Sequence, residues 1–354
     1  MFKANRLIVT VAFLTALTST SLSFGQSGRN RAKDKGAYLM VYFKDEDHSL
    51  HFALSKDGYS FTDVNQGNPV IAGDSISEQK GVRDPYICQG PDGVFYLAAT
   101  DLHIYAQKAG YRKTQWERDG KQYGWGNNRG LVLMHSKDLI HWSHQVLRVD
   151  KGFPGLDSIG CAWAPELIWD RSRRQMMLYF TMRYGNGINR IYYAYMNRTF
   201  TKMVSFPKLL LDFPGSKSTI DGDITKMGNK YHLLFVTNGT AAGIRQAVSD
   251  SLHSGYVIKD GWIDPEPKSC EAPTVFKRIG ESRWVIVYDI YGIQPANFGF
   301  SETGDFVNFK DLGHFNEGIM KATNFSSPKH PGIIQLSIKD ARRLAAYWQL
   351  DMEF

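Results

Sequence analysis

The sequence contains few cysteines. Only three occur among 354 residues, at Cys88, Cys161 and Cys270. Their separations match no zinc-binding spacing, and their density is far below that of a small disulfide-stapled domain. We therefore expect buried apolar side chains in strands, with neither a metal centre nor a disulfide framework at these positions.

Long hydrophobic runs are scarce as well. The apolar run 7–17 has eleven residues, too few for the ~20-residue span of a bilayer. It follows a short basic stretch and precedes small residues at 23 and 25, which is typical of a cleavable secretory signal. We expect residues 1–25 to be a signal peptide and the protein to be exported to the periplasm or the extracellular space. No other segment predicts a membrane span.

A concentrated basic patch is missing too. The formal net charge is +7, yet the basic residues are scattered except between Gln26 and Lys35. Such a short polar stretch is typical of a disordered tether, so we interpret residues 26–36 as a linker. No nucleic-acid-binding motif accompanies the charge, and we expect no nucleic-acid partner. The oligomeric state stays open.

Helical periodicity is rare, and short alternating runs between turn residues predict an all-β protein. A unit of four strands begins at Asp84, and the same plan recurs three more times. The predicted strands of the first unit are Asp84–Cys88, Val94–Ala99, Leu131–His135 and His141–Leu147. The first strands of the next three units are Pro165–Trp169, Gly222–Lys226 and Pro273–Lys277.

A fifth first strand, Gly332–Leu336, comes near the end of the sequence without partners after it. Its partners are predicted at the other end, at Tyr38–Phe43, Leu50–Leu54 and Ser60–Val64. Pairing these strands would close a ring without leaving an exposed inner edge. We predict a single five-bladed β-propeller over residues 37–354.

Charged side chains recur at the head of the first strands. The positions that we interpret as equivalent hold Asp84, Ala164, Asp221, Glu271 and His330, at separations of 80, 57, 50 and 59 residues. Turn chemistry explains Asp before Pro or Gly, but it requires neither glutamate nor histidine. Inner strands line a propeller's axis, so these side chains should converge on one mouth of the channel. Glycoside hydrolysis uses such a set: one protonated acid, one ionised carboxylate, and a third acid that raises the pKa of the first.

Short motifs around these positions resemble those of glycoside hydrolase family 43, over nearly the whole sequence after the predicted signal. The motifs are Arg83-Asp84-Pro85, Trp163-Ala164-Pro165-Glu166, Ile220-Asp221-Gly222 and Glu271-Ala272-Pro273. The resemblance implies a five-bladed propeller that acts with inversion on arabinose- and xylose-containing glycans. Arg83, Ala272 and Pro331 depart from the common family pattern, which leaves the sugar open.

The resemblance also implies roles for the charged side chains. Asp84 would be the general base, Asp221 the residue that tunes the acid, and Glu271 the general acid. His330 would lie beside a cation such as calcium, or beside water, and no cofactor would be required. Glu166 and Asp223 are further carboxylates near the strand heads, and we rank both below these three.

The connections from second to third strands should rim the same mouth. Substrate contacts are predicted for an aromatic and polar set: Trp125, Trp163, Arg183, Tyr291 and His330. The longest of these connections, from His103 to Asn128, also carries Trp116. Long loops in compact domains are usually functional, so we expect Trp116 and Trp125 to contact substrate.

Three functions fit these observations. The first is an exo-acting, inverting glycosidase that releases arabinofuranosyl, xylosyl or galactofuranosyl units from plant-type glycans. The second is a retaining β-fructosidase, which needs an Asn-Asp-Pro-Asn segment where this sequence offers only Asn68-Pro69. The third is a non-catalytic glycan-binding propeller, which would not need both Asp84 and Glu271.

Overall fold

The computed structural model describes residues 35–106, 108–111, 118–215, 217–237, 243–267 and 269–354. The predicted signal peptide and most of the predicted linker lie outside these residues. The first strand begins at Lys35, two residues before the predicted start of the propeller. None of the helices in the described part of the chain is long and apolar enough to cross a membrane.

The described strands form five sheets, which we call blades. The amino-terminal strands are β1 (Lys35–Phe43), β2 (His51–Ser55) and β3 (Ser60–Asp63). Blade 1 contains β4 (Val82–Gln89), β5 (Phe95–Asp101), β6 (Gly130–Ser136) and β7 (Ser143–Arg148). Blade 2 contains β8 (Ile159–Asp170), β9 (Gln175–Tyr184), β10 (Arg190–Tyr195) and β11 (Lys208–Leu211).

The remaining blades follow the same plan. Blade 3 contains β12 (Thr219–Met227), β13 (Lys230–Thr237), β14 (Ile244–Ser249) and β15 (Val257–Ile258). Blade 4 contains β16 (Cys270–Lys277), β17 (Trp284–Ile290), β18 (Asn297–Thr303) and β19 (Phe309–His314). The last strands are β20 (Lys321–Ala322) and β21 (Lys329–Ser337).

Blade 5 closes the ring as predicted. Its sheet order is β20-β3-β2-β1-β21, so the carboxy-terminal strand is innermost and the amino-terminal strands lie outside it. β21 pairs antiparallel with β1, for example Met40 with Ile333 and Leu39 with Ile334. The five-bladed, all-β prediction is therefore confirmed. The short outermost strand β20, parallel to β3, is an addition that the repeat pattern did not predict.

Five apolar clusters hold the blades together, one at each interface between neighbours. The alternation of β1 shows how one strand serves two interfaces. Leu39 and Val41 pack towards blade 1, whereas Met40 and Tyr42 pack towards blade 4. Side chains on a strand alternate between faces, so a strand buried on both faces reads as a continuous apolar run.

Short helices join or cap the blades. They are α1 (Gly73–Ile76), α2 (Gly120–Tyr123), a 3-10 turn (Val149–Lys151) and α3 (Ile338–Tyr347). α3 was not predicted. It starts where the Ser337 side chain accepts a hydrogen bond from the Asp340 N–H, and it buries Ala341 and Leu344 in the cluster between blades 5 and 1.

Each inner strand contains the same β-bulge. In blade 1 the pairing passes from Arg83–Thr100 to Tyr86–Ala98, so Asp84 and Pro85 face a single residue of β5. Equivalent breaks occur in the other four inner strands. The second bulge residue is Pro in four blades and Gly222 in the third. Proline has no N–H to donate, so an unpaired bulge position accepts it.

We predict that deletion of residues 332–354 prevents folding. β1 would lose its inner neighbour and the ring would stay open, exposing the apolar clusters on both sides of blade 5. Thermal unfolding followed by circular dichroism tests this, with a chain that ends at Leu350 as the control. A soluble, cooperatively unfolding 332–354 deletion would contradict the closure.

Candidate active site

The first residue of each bulge has a positive φ, which marks five equivalent positions around the channel. These bulge positions are Asp84, Ala164, Asp221, Ala272 and His330, with φ between 45° and 56°. The residues before them are Arg83, Trp163, Ile220, Glu271 and Lys329. Glu271 was predicted to be equivalent to Asp84, and that register is wrong by one residue. The bulge in blade 4 falls on Ala272, so Glu271 lies one step nearer the strand's start.

Asp84 is held as a carboxylate. The Thr100 hydroxyl donates a hydrogen bond of 2.7 Å to Asp84 Oδ2, and His330 Nδ1 lies 3.3 Å from Asp84 Oδ1. Burial opposes ionisation, but His330, Arg83 and Thr100 outweigh it and hold the pKa of Asp84 well below its usual range. Burial likewise opposes the charged form of His330, yet Asp84, Asp221 and Glu271 raise its pKa. Asp84 and His330 therefore form an ion pair between blades 1 and 5.

Asp221 behaves in the opposite way. Burial, with the Glu271 and Asp84 carboxylates, raises its pKa to about 7, against the lowering effect of His330. Its Oδ2 accepts a hydrogen bond of 3.1 Å from the Ala272 N–H, directly after Glu271. This contact fixes Asp221 beside the strand that carries Glu271.

Glu271 is the most accessible of the three carboxylates. Its side chain is 29% exposed, and Oε1 lies 3.7 Å from Lys329 Nζ. Lys329 in turn lies 3.3 Å from Asp289 and 3.8 Å from Asp45. The mouth thus contains the accessible carboxyl of Glu271, the ionised carboxylate of Asp84 and the buried carboxyl of Asp221, whose pKa is about 7. These are the elements of acid–base glycoside hydrolysis.

A model of protein families matches most of the chain. The model for the glycosyl hydrolase 43-related family, described as "Probable glycosyl hydrolase domain", matches residues 34–341. The chain belongs to this family. The resemblance to glycoside hydrolase family 43 that the strand-head motifs carry is confirmed.

One curated protein is similar to part of this chain. An α-L-arabinofuranosidase of Bifidobacterium longum subsp. longum is 24% identical over 238 residues, 60% of this chain and 20% of that protein. The match therefore spans about a fifth of the curated relative's length.

Solved structures share the fold. An α-L-arabinofuranosidase from Clostridium thermocellum superposes with a TM-score of 0.54 at 15% identity, covering 82% of this chain and 92% of that one. An endo-1,4-β-xylanase from Bacteroides thetaiotaomicron gives 0.54 at 12% identity, covering 83% and 92%. At these identities the likeness shows the fold.

In this family member the described end of the long β5–β6 insertion is hydrogen-bonded to blade 2. The Arg183 guanidinium donates to the Tyr123 and Trp125 carbonyls, at 3.0 and 2.6 Å for Nη2. Arg183 also lies 4.6 Å from the Trp163 ring, and Trp163 Nε1 donates 2.8 Å to the Gly126 carbonyl. Arg183 is buried, and its N–H groups are used to bind the carbonyls of the insertion. Its predicted contact with substrate stays a prediction.

The aromatic side chains at the insertion suit a sugar ring better. Trp125 is 67% exposed and meets Trp163 edge to face, with ring centroids 6.1 Å apart. Tyr291, in the β17–β18 connection, is also exposed. Aromatic faces with a wet edge are common platforms for sugars. Trp116 lies outside the described residues.

The charged side chains around His330 pair with one another. His330 Nδ1 faces Asp84, and nearby Asp289 is matched by the Lys329 ammonium. In the described part of the chain, no group of three His, Cys, Asp or Glu side chains is arranged to hold a metal ion, so this set does not fit a calcium ion bound by side chains alone. A cation or water beside His330 stays a prediction.

Glu166 and Asp223 lie two residues beyond the bulge positions and form a separate, deeper pair. Both are buried, and Tyr179 Oη donates 2.6 Å to Glu166 Oε2. Burial and the Asp223 charge raise the pKa of Glu166 well above its ordinary value, and burial raises that of Asp223 to about 7. The two groups lie below the mouth and are too enclosed to meet a substrate first.

Neither Lys329 nor Asp289 was among the predicted site residues. Lys329 directly precedes His330, so its signal was present in the Lys-His-Pro motif. Asp289 pairs with Glu271 across the β16–β17 ladder, which only the register reveals. Cys88, Cys161 and Cys270 are free thiols within inner strands. Cys161 and Cys270 are buried as expected, whereas Cys88 is only half-buried.

We predict that Glu166→Gln flattens the pH dependence of stability. The folded chain keeps a proton on Glu166 that the unfolded chain releases near its ordinary pKa, so stability is full at low pH and falls as pH rises. Between pH 4.5 and 8 the variant should lose less stability than the native chain, because glutamine has no proton to release. Chemical denaturation at both pH values measures this. The exposed control Glu353→Gln should change nothing, and equal slopes for all three proteins would refute the prediction.

We predict that Trp125→Ala lowers kcat/KM by about 5–30-fold, because stacking on an aromatic face contributes roughly 1–2 kcal/mol. The melting temperature should stay nearly unchanged, since the ring is largely exposed. Tyr347→Ala, at an exposed site on α3, is the matched control and should keep native kinetics. A large loss of stability with unaltered kinetics would show that the ring is packing instead.

Proposed function

We propose that the chain is an exported, exo-acting and inverting glycosidase that releases arabinofuranosyl, xylosyl or galactofuranosyl units from plant-type glycans. The observation that carries this proposal is the contrast between the carboxyl groups of Asp84 and Asp221. Asp84 is stabilised as an anion by His330 and Thr100, whereas Asp221 has a pKa near 7 beside Glu271. Such different environments for similar side chains are typical of sites that carry out acid–base chemistry.

Asp84 acts as the general base. It accepts a proton from water as the water oxygen attacks the anomeric carbon on the face opposite the leaving group. Its bond from Thr100 and its contact with His330 hold the carboxylate in place through this step. Because Asp84 stays ionised over the whole neutral range, it is ready to accept that proton.

Glu271 acts as the general acid. Its accessible carboxyl donates a proton to the glycosidic oxygen as the bond to the anomeric carbon breaks. Asp221 accepts a hydrogen bond from the Ala272 N–H, directly after Glu271, and so orients the strand segment that carries the acid. One proton is taken from water and one is given to the leaving group, and the sugar leaves with inverted configuration.

The curated relative supports arabinofuranose as the first sugar to test, because it bears the name α-L-arabinofuranosidase. The departures at Arg83 and Pro331 from the common family pattern leave xylosides and galactofuranosides as the alternatives. A screen of the three aryl glycosides with purified protein identifies the sugar. Cleavage of none of them, with retained glycan binding, would favour a binding propeller.

We predict that Glu271→Ala slows substrates according to their leaving group. A natural disaccharide should lose about 10³–10⁴-fold in kcat/KM, because its alkoxide needs protonation, while an activated aryl glycoside should lose about tenfold or less. Steady-state kinetics on both substrates measures the difference. Equal losses on both would mean that Glu271 is not the general acid, and Glu166 or Asp223 would have to be examined.

The matched variant Asp84→Ala should behave differently. Without a base to activate water, both substrates should slow by similar factors of about 10³ or more. If the activated substrate alone escaped this loss, Asp84 could not be the general base.

A further inference from the structure

A buried lysine stands among the acids of the mouth. Lys329 Nζ lies 3.3 Å from Asp289 Oδ2, 3.7 Å from Glu271 Oε1 and 3.8 Å from Asp45 Oδ2. Burial alone would lower its pKa, but Asp289, Glu271 and Asp45 outweigh burial and raise it. The ammonium therefore stays charged beside the proposed general acid.

Asp289 occupies a position that other blades fill with an uncharged side chain. It pairs across the ladder with Glu271, as Thr100 pairs with Arg83 and Thr181 with Trp163. Each threonine accepts the N–H of the next blade's bulge, from Ala164 and from Asp221.

A hydroxyl at this position is enough to accept the hydrogen bond from the bulge of the next blade. The fold therefore does not require a carboxylate here. Asp289 is only 1% exposed, and neither of its oxygens accepts a hydrogen bond from the described residues. Its partner is the Lys329 ammonium, at a distance slightly longer than a hydrogen bond.

Charge of both signs surrounds Glu271. Besides Lys329 and Asp289, the charged and titratable groups that interact with it are Asp221 on β12, Arg83 on β4, His330 on β21 and Tyr291 after β17. Asp45, in the β1–β2 loop, and Asp84, on β4, lie one step further away, as partners of these cations. Arg83 is paired with Asp45 at 2.6 Å, and His330 with Asp84 at 3.3 Å. Lys329 is the cation that directly contacts the Glu271 carboxyl.

We propose that Lys329 and Asp289 are a positioning pair for Glu271: the ammonium holds the acid's carboxyl at the mouth, and Asp289 offsets the ammonium's charge. An unbalanced lysine at 3.7 Å would favour the carboxylate and so oppose proton donation. Without the lysine, Glu271 would be left beside two buried acids, Asp289 and Asp221, and would hold its proton too firmly. This inference rests on the proposed role of Glu271 as the general acid.

The pair predicts opposite shifts in the pH profile of kcat/KM for a substrate with a poor leaving group. In Lys329→Met the alkaline limb should move up by about one pH unit, because the loss of positive charge favours the protonated acid. In Asp289→Asn the limb should move down by about one unit, because the lysine is no longer offset. The double variant should return to within about half a unit of the native profile.

Controls separate positioning from folding. Lys329→Arg keeps the charge and should keep the native limb. An activated aryl glycoside, which needs little protonation, should show no shift of its alkaline limb in any variant. Thermal unfolding is measured for each, and if Lys329→Met does not fold, the isosteric Asp289→Asn decides the matter alone.

Shifts in the same direction for both variants, equal shifts on both substrates, or stability losses with unmoved limbs would overturn the proposal. Failure of the proposed function is distinguishable from these results. It would appear as a loss independent of the leaving group in Glu271→Ala, whereas failure of this inference would leave that dependence intact and the limbs unmoved.

Discussion

Five residues with positive φ, one in each inner strand, determine which side chains reach the axis. The bulge gives the chain an extra residue at the same level of every blade, and it turns Asp84, Asp221 and His330 towards one another. Positive φ costs an alanine about 1–2 kcal/mol, and Ala164 and Ala272 adopt it nonetheless. The surroundings supply the compensation, since the Ala164 N–H donates to Thr100 and the Ala272 N–H donates to Asp221. The bulges therefore join neighbouring blades and also orient Asp84 and Asp221 towards the axis.

Electrostatic balance at the mouth follows from this geometry. Buried carboxylates remain there because each is matched by a cation, a hydrogen bond or a retained proton. The Asp84 carboxylate is stabilised by His330 and by the Thr100 hydroxyl, whereas Asp221 has a pKa of about 7 and retains its proton below that pH. Such different environments for like groups are costly in a purely structural protein and useful in acid–base chemistry. The deeper pair, Glu166 and Asp223, also has raised pKa values but is enclosed, so accessibility is what distinguishes Glu271.

Local pattern was enough to predict the blades, their order and the closure by β1 and β21. Alternation, turn residues and the missing partners of the last strand are all visible in one sequence. The register at Glu271 could not be predicted in this way. The motif Cys-Glu-Ala-Pro can be aligned with the other motifs either by its glutamate or by its proline, and only the pairing of β16 with β17 shows which alignment is right. The use of Arg183 to hold the insertion was missed for a similar reason. Its partners are the Tyr123 and Trp125 carbonyls, far away in sequence and without a side-chain signature.

We propose that Asp84 and Glu271 serve as base and acid on opposite sides of the scissile bond. Proton NMR of the first sugar released from whichever aryl glycoside the protein cleaves fastest tests these roles most directly. We expect the first-formed anomer to have the configuration opposite to that of the substrate and then to mutarotate. Retained configuration in the first product would require a covalent intermediate on a nucleophilic carboxylate, and it would contradict the assignment of Asp84 as a base that activates water.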